Sequence, residues 1–248
     1  MIKKVEPKTI NQLWYLIVKN FKSMIREIRQ LIWIFGYPLV FVLLLRYGYG
    51  LEVYSVFAPG LIILGPIVLI SQLAGHFAEE KESGTLQRLI TTPVPRYAIL
   101  LSGLFSQLIV AAIQIVVMLL LTYLFGATFN PNANILMIFF IPFLVAFTSL
   151  GFGLLLASFV NSASSAGGLA WFIILPLQFL GGLLTTPIPL QILNYLPTTL
   201  ARNALFAVMI DGSYVFNVVG LNLILIAAWG IGLILIGIML FQRKTAIF

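Results

Sequence analysis

Apolar residues along the chain gather in six blocks, about 31–49, 57–78, 97–125, 134–160, 168–184 and 217–241, separated by clusters rich in Gly, Pro and Asn. Each block is long enough to cross a roughly 30 Å hydrocarbon layer as a helix, and too long for a barrel strand of about 9–11 residues. The pattern predicts an all-α integral membrane protein with six transmembrane helices. Two cuts carry turn chemistry, GATFNPNAN at 126–134 and NSASSAGG at 161–168, where small and amide side chains interrupt the apolar run.

The first 30 residues follow a different pattern. Their apolar residues recur with helical spacing and form no continuous run of the kind a signal peptide needs. At 100° per residue, Ile10, Leu13, Trp14, Ile17, Phe21, Met24, Ile25 and Ile28 fall within about 60° of one direction. Lys19, Lys22, Arg26 and Arg29 lie about 100–180° away from them. Residues 1–30 are therefore expected to form an amphipathic helix in the cytoplasmic membrane interface, ahead of a six-span domain over 31–248. Thr9 with Gln12 has the spacing of a capping box, which starts the helix near Ile10. Its bases face lipid headgroups or a protein partner.

One polar island interrupts the apolar pattern. EEKESGTLQRLITTPVPR, residues 79–96, carries three acids and three bases. Glu79, Glu80 and Glu82 leave the membrane, Gly84 bends the chain, and a short helix follows that Thr85 can cap and Pro93 and Pro95 end. Leu86, Leu89 and Ile90 give it a small apolar face, with Arg88 beside them. The residues alone allow two readings, a solvated loop or a helix that docks into a cleft of another protein.

Composition agrees with the pattern, since 61% hydrophobic and 8% charged residues lie far from the roughly 45–50% and 25% of a soluble domain. Between Arg96 and Arg202 no acid, base or His occurs. Lys and Arg near span ends stay on the cytoplasmic side. With six spans and the N-terminus inside, twelve of the fourteen bases fall in the cytoplasm, and only Arg46 and Arg202 fall outside. Both termini and the island are then cytoplasmic, and the net charge of +7 reflects topology rather than a nucleic-acid surface.

No G-x-x-x-x-G-K-[ST] phosphate loop is present, which leaves any nucleotide chemistry to another chain. Apart from Arg46 near the end of the first block, no acid, Lys or Arg stands inside a span to serve ion-coupled transport. That weakens a secondary carrier or channel, and the lack of an ionisable cluster weakens a membrane-embedded enzyme. Zero Cys removes disulfides and thiolate metal sites. His76, the lone His, stands at the inner end of the second block. Gln72, Gln107, Gln114 and Gln178 are the amides from which a translocation path is built, if they do not simply join neighbouring helices by hydrogen bonds.

AEEKESGTLQRLITTPVPRYAILLSG, residues 78–103, resembles the segment after the second span of ABC-2 type transporter permeases, with its E-x-x-x-G-T-L and T-P patterns. APG at 58–60, the basic amphipathic helix and LPTTLARNAL at 196–205 match in order. The resemblance implies that the island is a coupling helix against a cytoplasmic ATP-binding-cassette subunit, with Glu79, Glu82, Gly84, Thr85, Leu86 and Pro93 carrying over by position. Gln87 departs from the pattern, where an acid often follows the Leu. It also implies that 185–212 forms re-entrant helices capping the pathway outside.

Taken together, the expectation is one half of a dimeric permease, paired with an identical or different second half. It is not itself an enzyme and binds no cofactor; ATP and Mg sit in the partner ATPase. The sparse polarity of the spans suits an amphiphilic, lipid-like or glycan cargo.

Overall fold

The computed structural model of the protein describes residues 9–26, 28, 32–91, 96–185 and 189–245, which form helices joined by short turns, with no strand among them. In chain order these are α1 (Thr9–Arg26), a π-helical turn (Ile32–Gly36), α2 (Tyr37–Gly48), α3 (Gly50–Glu82) and α4 (Thr85–Ile90). There follow α5 (Arg96–Leu124), α6 (Ile135–Phe159), α7 (Ala163–Phe179), a 3-10 turn (Gln191–Tyr195), α8 (Pro197–Met209) and α9 (Val219–Thr245).

Four of these, α3, α5, α6 and α9, are long and apolar enough to cross a membrane. The segments Ile32–Gly48 and Ala163–Phe179 are apolar but shorter. The protein is a multi-pass, all-helical membrane protein.

α3 is the axis of the bundle. Every residue from Ala58 to Ile70 on it is buried, because α2, α5, α6, α7 and α8 all pack around it. A helix apolar on every side suits lipid and protein neighbours equally, so it is the helices packed around α3 that enclose it. Pro59 and Pro66 sit inside it, where the surrounding helices keep the freed backbone groups away from lipid. α9, by contrast, lies along α6 with most of its surface outward. Thr148 joins these two, its hydroxyl donating to Ile226 O across the contact at 3.1 Å.

Helix ends explain where the boundaries differ from the apolar blocks. α7 starts at Ala163, five residues ahead of the block at 168, because Ser162 caps it by accepting from Ser165 N. The small residues of NSASSAGG thus form its first turns rather than a loop. α3 continues past its apolar block at both ends, from Gly50 to Glu82; Glu52 and Glu82 in these extensions are exposed, whereas Tyr54 and Glu80 are buried.

The connection after α7 folds back onto the bundle. At Gly60 of α3 an added Cβ would lie 2.2 Å from Leu183 O, so the returning main chain touches the α3 backbone there. Beyond it the 3-10 turn is largely exposed, whereas α8 is buried along most of its length against α3, α6 and α9. The two bases expected outside have local partners. Arg46 Nε donates to Phe125 O at 2.7 Å, next to the C-terminal end of α5, and Arg202 lies over the Phe206 ring, 5.8 Å from its centroid.

Candidate functional site

The polar island and the C-terminal end of α3 form one junction where α1, α4, α6, α7 and α9 meet α3. α3 stays helical to Glu82, and the chain then reverses at Ser83 and Gly84, whose φ is +69°. A residue with a Cβ pays for that conformation, and glycine does not. Among the described residues, chain neighbours apart, no atom lies within 4 Å of a Cβ built at Gly84, so what asks for glycine there is the backbone conformation.

The reversal folds α4 back against α3. Leu86 is consequently only 4% exposed and joins a cluster with Phe77, Ile99, Leu100 and Phe241. The apolar knob expected to point outward does not include Leu86, which anchors α4 to its own bundle. Among the described side chains of this short helix, Gln87 and Arg88 are the exposed ones. Thr85 is its first helical residue rather than a cap outside it, and its hydroxyl meets Ser83 Oγ at 2.9 Å. The side chains of Leu89 and Ile90, and the whole of Pro93 and Pro95, lie outside the described residues.

The acids before Gly84 face different neighbours. Glu80 is buried at 8% exposure; Lys19 of α1 comes to 3.6 Å from it and His76 to 3.9 Å. Lys81 Nζ donates to Ala157 O and Val160 O at the end of α6, and stands 5.2 Å from the centre of the Phe241 ring on α9. Glu82 Oε2 accepts from Ala163 N, the first residue of α7, at 3.1 Å.

α1 lies along α5. Ile17 and Met24 are buried, Phe21 is half-buried, and Asn20 Nδ2 donates to Ser102 Oγ at 3.3 Å in the buried contact. The expected apolar face is divided, because Trp14 and Ile28 are exposed and only part of the face meets protein. Lys22 and Arg26 are exposed as well. The Ile25 side chain and the whole of Arg29 lie outside the described residues, as do the Thr9 and Gln12 side chains of the expected capping box.

A cavity of about 330 Å³ opens beside this junction, between α3, α7 and the π-helical turn. Trp33 and Trp171 form its aromatic wall, and Ser71, Gln72, His76 and Glu79 present polar groups to it. Both amide atoms of Gln72 are buried without a hydrogen-bonding partner among the described residues. The other three amides are away from this cavity. Gln114 donates to Ile34 O and Gln178 accepts from Tyr37, so both join helices; Gln107 is buried in α5 with Oε1 unpartnered among the described residues.

Several functional candidates were not singled out from sequence. Trp33 and Trp171 stood among many apolar residues, and only their meeting between the π-helical turn and α7, ring centroids 6.5 Å apart, marks them. Glu80 had a readable signal, its i,i+4 spacing from His76 on one helix face.

Comparison with known proteins places this architecture. One relative, ABC transporter G family member 20 of Dictyostelium discoideum, is 27% identical over 197 residues, covering 75% of this chain and 26% of that protein. The chain thus spans about a quarter of that relative's length. The family model for the ABC-2 type transporter matches residues 11–210, and the chain belongs to the ABC-2 type transporter family.

Proposed function

We propose that the chain is the permease half of an ATP-binding-cassette transporter, moving an amphiphilic, lipid-like or glycan substrate across the cell membrane. Two halves form the pathway, and ATPase units outside these 248 residues bind ATP and Mg and supply the energy. The 17-residue segments Ile32–Gly48 and Ala163–Phe179 complete six spans, with both termini inside. α1 lies in the cytoplasmic interface against lipid, and the outer segment around α8 dips back into the membrane to cap the path. The cavity at Gln72 is the inner part of that path, and it offers a buried amide and aromatic walls to a molecule with one polar end.

The observation that carries this reading is the reversal at Gly84. It turns the chain leaving the central helix α3 into a short helix held by Leu86, with Gln87 and Arg88 facing outward. A partner pressing on that surface acts directly on the axis of the bundle. This placement supports ATPase docking on α4, with contacts from Glu79, Glu82 and Arg88.

The test is co-purification of the chain with a co-expressed cassette ATPase, and ATP hydrolysis by the reconstituted pair. Arg88→Glu should lower both while the permease keeps its thermal stability. Transport by the purified chain in liposomes without nucleotide would select a secondary carrier or channel instead.

A further inference from the structure

Lys81 and Glu82 are consecutive, yet they bind the two sides of one turn. Lys81 Nζ reaches Ala157 O and Val160 O, where α6 ends, and Glu82 Oε2 accepts from Ala163 N, where α7 begins. The signs suit the helix ends: a cation meets the carbonyl end of one helix and a carboxylate the N–H end of the next. The turn 160–162 is thereby gripped from both sides by the last residues of α3. The same two residues precede the Gly84 reversal, and Gly84 N itself donates to Lys81 O at 3.1 Å.

We infer that Lys81 and Glu82 form a clasp that makes the α6–α7 turn follow α4 as one body. This rests on the reading that α4 receives the push of an ATPase. A displacement of α4 then passes to α6 and α7 as well as to α3, and α7 carries Trp171 of the cavity wall. Lys81 brings α9 into the same body through Phe241, 5.2 Å from its ammonium. Both are positioning residues, acting through helix ends rather than on cargo. Each helix-end contact is individually modest when partly exposed, so losing the clasp should free the turn without unfolding the bundle.

Spin labels test this in a chain that has no Cys. With Gln87→Cys and Asn161→Cys labelled, the distance distribution should be narrow, and the same in nucleotide-free and vanadate-trapped complexes with the ATPase. Adding Lys81→Met and Glu82→Gln should broaden it, and Lys81→Arg with native Glu82 should restore the narrow form, with every variant still folded as a cooperatively melting bundle. A native pair whose distance changes between the two states, or a double variant indistinguishable from the parent, overturns the clasp. The labelled permease alone gives the second comparison. If no ATPase associates, the coupling reading fails while the clasp is still decided by that arm.

Discussion

The amide of Gln114 donates from Nε2 to the main-chain oxygen of Ile34, 2.6 Å away, and so ties the middle of α5 to the π-helical turn ahead of α2. Gln114 is fully buried. A π-helical turn departs from the regular i→i+4 ladder, and in apolar surroundings a carbonyl left without a donor is costly. The amide therefore belongs to the architecture. Tyr37 and Gln178 repeat the device between α2 and α7 at 2.7 Å.

Gln114→Leu should accordingly lower stability in detergent by about 1–3 kcal/mol, the cost of an unsatisfied buried acceptor. Gly65→Ala should disturb the same bond from the other side, because its Cβ would lie 2.9 Å from Gln114 Cδ. The two losses share one interaction, so the double variant should lose less than their sum. Equilibrium unfolding of the four proteins checks this; strict additivity would separate Gly65 from the amide.

The attachment of α1 to α5 gives a second prediction. Met24 is 4% exposed in a cluster with Ile34 and Val110, whereas Lys22 is exposed. Met24→Asp puts a charge into that apolar contact at a cost of several kcal/mol, and Lys22→Ala removes only a solvated base. Limited proteolysis should release α1 from the first variant and leave the second like the parent. Equal resistance in both would detach α1 from the role assigned to it here.

Much of this was legible in sequence because oil and charge are sharply segregated in a membrane protein. The long spans, the amphipathic α1 and the bend at Gly84 each had a periodicity or a glycine to reveal them. Leu86 was harder. Its side chain suits a partner's groove and its own bundle equally, and only the direction of the reversal at Gly84 decides between them. The start of α7 was misplaced because Ser162, Ser164 and Ser165 are equally good loop residues, and a cap is recognised by the helix it precedes. The roles of Lys81 and Glu82 rest on helix ends about 80 residues away along the chain, a relation no local pattern carries.

Gly84 allows a graded test. Its positive φ costs an ordinary residue about 1–2 kcal/mol, Asn tolerates it best, and a β-branched residue least. Stability and retention of the ATPase should thus fall in the order Gly84, Gly84→Asn, Gly84→Ala, Gly84→Val. Since no described residue beyond its chain neighbours lies within 4 Å of its Cβ position, crowding does not account for this order. A series ranked by side-chain volume alone would count against the backbone explanation.

Orientation is tested at the exposed Arg88. Arg88→Cys should resist a membrane-impermeant maleimide in intact cells and react once the membrane is opened. Labelling from outside would reverse the proposed topology and remove α4 from any cytoplasmic partner.

Leu86 and Arg88 finally separate anchoring from contact. Leu86 is buried among Phe77, Leu100 and Phe241, and Arg88 projects from the opposite, exposed side of the same short helix. Leu86→Asp places a carboxylate in that cluster, so α4 should leave the bundle and the permease should melt earlier. Partner binding should fall with it, because Gln87 and Arg88 lose their fixed position. Arg88→Ala should weaken partner binding at unchanged melting temperature, since an exposed side chain contributes little to the fold. Leu86→Met, which keeps volume and apolarity, should behave like the parent in both measurements. Melting curves and ATPase retention, read side by side for the three variants, distinguish the roles. If Leu86→Asp lost the partner while melting like the parent, Leu86 would belong to the docking surface after all, and the inward packing would be exchanged for a partner's groove on assembly.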